Sequence, residues 1–164
     1  MTQRVQCTKS VADSILSYAI DAYPREGILI MRGKTNGDVI LVDDLLIPPL
    51  ATHGVGFSGF PRGMIPFDFS ILGIVHSHPS GALIPSVHDL NHFYGKIMAI
   101  TAYPFQSYSD IAVFNNRGDK IQFEIVTDRR PEWNGQKFSV GPPKPCYYQS
   151  CDISLIRCEC SIAT

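Results

Sequence analysis

The run Ile71-Leu72-Gly73-Ile74-Val75 passes directly into His76-Ser77-His78-Pro79-Ser80-Gly81. No other segment constrains the fold as tightly. A short apolar run bounded by turn residues reads as a buried strand rather than a helix. Side chains alternate along a strand, so His76 and His78 project from the same face. Pro79 and Gly81 then turn the chain. A buried strand needs layers over it, and the rest of the sequence supplies both strands and helices.

Val11, Ile15, Tyr18, Ala19 and Ala22 recur at three- and four-residue steps, which predicts a helix over 9–22. Ser10 with Asp13 reads as its capping box. Pro24 ends it, because the residue before a proline is pushed out of the α region. Residues 27–31 read as a buried strand, Asn36-Gly37 as a hairpin turn and 39–46 as the returning strand. Residues 51–70 are rich in glycine and proline and predict an irregular excursion holding two or three extended pieces at most. Residues 86–94 read as a helix and 97–102 and 110–114 as strands. A turn at 115–119 leads to a last strand over 120–126. This order predicts an α/β protein, a mixed β-sheet flanked by helices.

Composition bounds what such a chain does. The 164 residues carry fourteen Lys and Arg against fifteen Asp and Glu, a net charge of −1. There is no basic field to attract nucleic acid or an anionic membrane. No apolar stretch approaches the length of a membrane span, and 1–7 holds no apolar run of signal-peptide type. The cytoplasm is the default location. An odd number of cysteines, five, argues against a secreted disulfide framework.

The chemistry sits in His76-x-His78, seven residues, and then Ser86-x-x-Asp89. Two imidazoles one strand pitch apart can bind one metal ion. Asp89 can add a carboxylate from the first turn of the next helix. Two His and one Asp leave a fourth tetrahedral position for water, the pattern of a catalytic zinc site. Zinc lowers the pKa of bound water from ~15.7 to ~7. A hydrolase also needs a base that takes the water proton to the leaving amine, and Glu26, just before a buried strand, is the candidate. Ser86 is the candidate donor to the oxygen that becomes negative in the transition state.

Glu26, His76-Ser77-His78, Ser86 and Asp89 together resemble the JAMM motif of the MPN+ (JAB/MPN) metalloprotease family. Every motif position matches, including the intervening serine, and Pro24-x-Glu26 stands where the family places its base. The resemblance spans about residues 8–126 and is closest to short stand-alone archaeal members. It implies the MPN architecture, which is cytidine-deaminase-like. It implies one zinc ion with a bound water, held by His76, His78 and Asp89. Glu26 is then the general acid/base, and Ser86 steadies the oxyanion. The implied activity is isopeptide-bond hydrolysis after the C-terminus of ubiquitin-like modifier proteins or their conjugates, as in archaeal desampylases. Trimming of a ubiquitin-like sulfur-carrier protein uses the same chemistry and stands as the alternative. A non-catalytic MPN scaffold, which keeps the fold and loses the ligands, is the other. A related DNA-repair-linked family shares H-x-H-P-S-G, but the near-neutral charge here lacks a basic stripe.

Plainer readings exist for individual residues. Ser86-x-x-Asp89 ahead of a helix is itself a capping box, a role compatible with catalysis. Glu26 taken alone reads as a surface carboxylate. His88 and His92, one helical turn apart, form a rival ligand pair. They lack the H-E-x-x-H glutamate, since Asp89 follows His88, and read instead as exposed residues near the cleft. His53 reads as surface. From 129 the character changes: 129–145 holds four prolines and two glycines. The chain thus divides into a domain over 1–128 and a linker with a tail over 129–164. Cys146, Cys151, Cys158 and Cys160 lack the C-x2-C knuckles of a zinc ribbon and read as reduced thiols.

Overall fold

The computed structural model describes residues 3–128, apart from 55, 56, 62, 64 and 66. The linker and the four-cysteine tail expected over 129–164 lie outside the described residues. So does the side chain of His53. The described elements belong to one unit, Met1–Arg129.

In chain order the elements are β1 (Arg4–Thr8), α1 (Lys9–Ala22), β2 (Ile28–Asn36), β3 (Val39–Leu46), β4 (Thr52–Gly54), β5 (Phe57–Gly59) and β6 (Ile71–His78). These are followed by α2 (Val87–Asn91), β7 (Ile97–Ala102), β8 (Ile111–Phe114) and β9 (Lys120–Val126). Seven strands form a closed barrel in the order β1-β3-β2-β6-β7-β8-β9. It is a mixed sheet: β6 pairs parallel with β7, while β2 runs antiparallel to both β3 and β6. Parallel pairing of β1 with β9, from Arg4↔Gln122 to Thr8↔Val126, closes it. The small β4–β5 hairpin stands apart as a two-stranded sheet.

Two apolar clusters hold this arrangement. Ala12, Ile15 and Ala19 of α1 pack with Leu29, Met31, Val75 and Ala99, which alternate to one face of the sheet. Full burial of a side chain such as Ile15 contributes ~1.5–3 kcal/mol. Cys7 is part of this core, and burial, helped by the charge of Asp128, pushes its thiol up to about 12. It behaves as a small hydrophobe there. The opposite face presents Ile30, Ile74, Met98, Ile100 and Phe114, covered partly by Phe60, Leu83 and Phe93 from the loops.

Several local expectations need correction. β1 was not anticipated, although it closes the barrel. Ser10 and Asp13 make no capping box. α1 begins at Lys9, with Thr8 as an N-cap whose side chain makes no capping bond. β1 runs straight into the helix, so Ser10 already lies in the first turn. Its hydroxyl donates to Asp128 at 2.7 Å, while Asp13 accepts from Lys9 and Tyr108 at 2.6 Å each. α2 is shorter than 86–94. The chain must pass close over β6 at Gly95, which has φ +87 and where an added Cβ would lie 2.5 Å from the Leu72 carbonyl oxygen. α2 already stops at Asn91, with His92 as its C-cap.

Candidate metal centre and active site

Strand register decides which side chains meet. Ile28 lies opposite His76, and His76 lies opposite Ile100 on the other side. Opposed residues share a face, so His76 and His78 continue the row that Ile30, Ile74, Met98 and Ile100 begin. Glu26 precedes Ile28 by two and extends the same row. His76, His78, Glu26 and Asp89 are all buried. Burying four ionisable groups is costly unless each finds compensation.

Each of the four residues is held in place by a bond of its own. The backbone N–H of Glu26 donates to Gly54 O at 2.9 Å, tying it to β4. Next to it, Gly27 and Ser77 exchange two bonds: Gly27 N–H to Ser77 Oγ at 2.6 Å and Ser77 N–H to Gly27 O at 3.0 Å. Ser77, the middle residue of the His-Ser-His triplet, thus clamps the Glu26 segment to β6 from the far face. Asp89 is held by α2's capping box. Its N–H donates to Ser86 Oγ at 3.1 Å, and its Oδ2 accepts Ser86 N–H at 2.7 Å. The Ser86 side chain also bonds to the Asp89 carboxylate, so backbone and side chain of Ser86 both hold it. His78 lies with Nδ1 2.8 Å from Ala82 O and Nε2 3.2 Å from Asp89 Oδ2. His76 Nδ1 lies 2.9 Å from Ser58 Oγ and 3.8 Å from Asp89 Oδ1.

These surroundings set the charges. Burial pushes His76 down to about 4, against the pull of Asp89, so it is neutral at pH 7 and its contact with Asp89 is no ion pair. Burial disfavours charge on His78 too, but the Asp89 carboxylate and the Ala82 carbonyl outweigh it and raise its pKa. Asp89 loses solvent, yet bonds from His78 and Ser86 hold it well below the usual carboxylate range. Burial raises Glu26, with His78 opposing and Asp89 reinforcing the shift. A buried base raised in this way is shifted toward the pH at which proton transfer is efficient.

The group fits a zinc ion by its donor chemistry. Among the described residues no three His, Cys, Asp or Glu side chains already converge as a metal cluster. Two neutral-capable imidazoles and an anionic carboxylate nevertheless share one buried face, and His76 Nε2 is buried with no hydrogen-bond partner. An unpaired buried ring nitrogen is costly unless something takes its lone pair. His78 is oriented by a carbonyl at Nδ1, the usual outer-shell arrangement for a metal-binding histidine.

His88 and His92 are exposed as expected, with ring centroids 4.2 Å apart. They line a cavity of about 310 Å³ beside His76, shared with Ile28, Ser58 and Phe60. Sequence reasoning missed Ser58, which is 2% exposed. A lone serine in a glycine-rich stretch carries no spacing signal. The role of Ser77 was readable in principle, since alternation places it opposite the two histidines.

The fold and the site define a JAB/MPN-type domain. Residues 8–116 match the Prok-JAB family, the prokaryotic homologs of the JAB domain, and the chain belongs to it. It is 28% identical over 127 residues to a "Probable metalloprotease" of Haloferax volcanii, covering 71% of this chain and 78% of that protein. Among solved structures, a JAB1/MPN domain protein from Archaeoglobus fulgidus is 25% identical with a TM-score of 0.54, covering 76% of this chain and 97% of the other. A structure described as "JAMM: A Metalloprotease-like Zinc Site in the Proteasome and Signalosome" is also 25% identical, with a TM-score of 0.55 and coverage of 77% and 99%. No helix among the described residues is long and apolar enough to cross a membrane.

Proposed function

We propose that the protein is a cytoplasmic zinc metalloprotease that hydrolyses the amide bond after the C-terminus of a ubiquitin-like modifier. The observation that carries this reading is one buried face holding Glu26, His76, His78 and Asp89, each fixed by its own backbone or side-chain bond. Membership of the JAB family supports it, as does the likeness to the Haloferax metalloprotease and to the JAMM zinc-site structure.

In this reading His76, His78 and Asp89 hold the zinc ion, which when bound supplies a Lewis acid and a water of lowered pKa. Glu26 takes a proton from the attacking water and delivers it to the leaving amine. Its raised pKa suits both halves of that transfer. The Ser86 hydroxyl donates to the oxygen that gains charge in the transition state. The β4–β5 side of the cavity beside His76 serves as a groove wall for the extended modifier C-terminus.

The test is Glu26→Gln. Glutamine keeps the size and hydrogen-bonding reach but accepts no proton at neutral pH. The variant should fold, bind zinc and bind the modifier, while turnover falls about 10²–10⁴-fold. Single-turnover cleavage of lysine-linked and linear ubiquitin-like conjugates, with and without chelator, reads this directly. Wild-type turnover by zinc-loaded Glu26→Gln removes Glu26 as the base. A wild type that cleaves neither conjugate removes the protease reading.

A further inference from the structure

Ser58 lies on β5, outside every motif of the sequence, yet its hydroxyl is buried at the centre of the site. Its Oγ is 2.9 Å from His76 Nδ1 and 3.5 Å from Gly27 O. A hydroxyl carries one proton. The Gly27 carbonyl can only accept, so it can take the Ser58 proton. The Oγ lone pair then accepts from Nδ1–H of His76. This arrangement puts the ring proton on Nδ1 and the lone pair on Nε2. That Nε2 is the buried ring atom with no hydrogen-bond partner. His78 carries a proton on Nδ1 for a similar reason, since the Ala82 carbonyl, 2.8 Å away, can only accept. In His76 this leaves Nε2 free, whereas Nε2 of His78 lies 3.2 Å from Asp89 Oδ2.

We infer that Ser58 is a positioning residue for the metal centre: its hydroxyl relays the Gly27 carbonyl onto His76 Nδ1 and locks the ring tautomer that leaves Nε2 as the ligand atom. The inference rests on the reading of His76 as a zinc ligand. Packing alone does not call for a hydroxyl at this buried place. The same hairpin also holds Glu26 through Gly54 O. The β4–β5 element thus orients a ligand and the base together, which gives a glycine-rich excursion a definite task.

The test compares Ser58→Thr with Ser58→Val, two side chains of nearly equal shape that differ in the hydroxyl. Zinc affinity is measured by competition with a chromophoric chelator, and cobalt(II) is substituted to read the visible d–d bands. Thr should bind zinc within a few-fold of wild type, and Val should bind about 10–100-fold more weakly, the usual cost of losing an outer-shell partner. The metal-free protein supplies a second readout. Ring ¹⁵N shifts of His76 should report the Nδ1-protonated tautomer in wild type and Thr, and a mixture in Val. Equal zinc affinity and equal tautomer in Thr and Val would overturn the inference while wild-type zinc binding leaves the site intact. A wild type that binds no zinc overturns the site reading, and this inference with it.

Discussion

Ser86 carries two duties that pull on different measurements. As N-cap of α2 it accepts the Asp89 N–H, and as proposed oxyanion donor it offers its own proton. Ser86→Ala removes both. Loss of a serine N-cap costs about 1 kcal/mol, which a urea melt of the variant should show. Loss of one oxyanion donor costs about 10²–10³ in rate. Zinc content should stay at the wild-type level, because Asp89 still receives the Ser86 backbone N–H. A variant that is less stable yet turns over at the wild-type rate leaves Ser86 with the cap alone. At this scale the sequence is informative where residue type and spacing coincide. The fold brings Glu26, His76, His78 and Asp89 together as buried groups, and Ser86 caps the helix that carries Asp89. Ser58 and the carbonyls of Gly54 and Ala82 were not legible in the sequence. Backbone acceptors leave no trace in residue identity, and a serine's partner depends on a hairpin whose docking is non-local.

Among the elements, β6 shows how closely the site depends on backbone approach. Gly73 pairs with Ile97 across the parallel β6–β7 ladder. A Cβ built at Gly73 would lie 1.7 Å from the Ile97 carbonyl oxygen, which is backbone and cannot step aside. Gly73→Ala must therefore push the two strands apart. Overpacking of this kind costs ~1–3 kcal/mol or more, or about 2–4 °C of melting temperature per kcal/mol in a chain of this size. A thermal melt near that of wild type would show that the strands separate without strain. The element readings that succeeded were those with local signals: the α1 stripe, the Asn36-Gly37 turn and the apolar runs. The misread ones depended on what lay next to them. Arg4–Thr8 alternates too briefly to announce a strand, and it is one because β3 and β9 flank it. Ser10-x-x-Asp13 matched a capping pattern, but a strand entering the helix directly shifts the cap to Thr8.

On the scale of the whole molecule, the α/β class was legible and the closure of the barrel was not, because closure is a pairing between residues more than a hundred positions apart. That closure also predicts where the chain can be cut. The last ladder pair is Thr8↔Val126, and two residues on, Asp128 accepts both the backbone N–H and the hydroxyl of Ser10, at 3.3 and 2.7 Å. Those bonds, from Ser10 first, hold the Asp128 carboxyl below its usual pKa. A protein ending at Asp128 keeps every barrel strand, both apolar clusters and all five candidate site residues. It should be soluble, melt cooperatively, bind zinc as the full chain does and retain proteolytic activity within a few-fold. A protein ending at Glu124 loses the β9 partners of Cys7 and Thr8, Ile125 and Val126, and with them the Asp128 bonds to Ser10, which weakens the closure at the end of β1 next to α1. It should melt lower. Parallel purification of the two, with melting curves and zinc content, makes the comparison across four residues. An insoluble or metal-free 1–128 protein would show that the domain requires residues beyond 128.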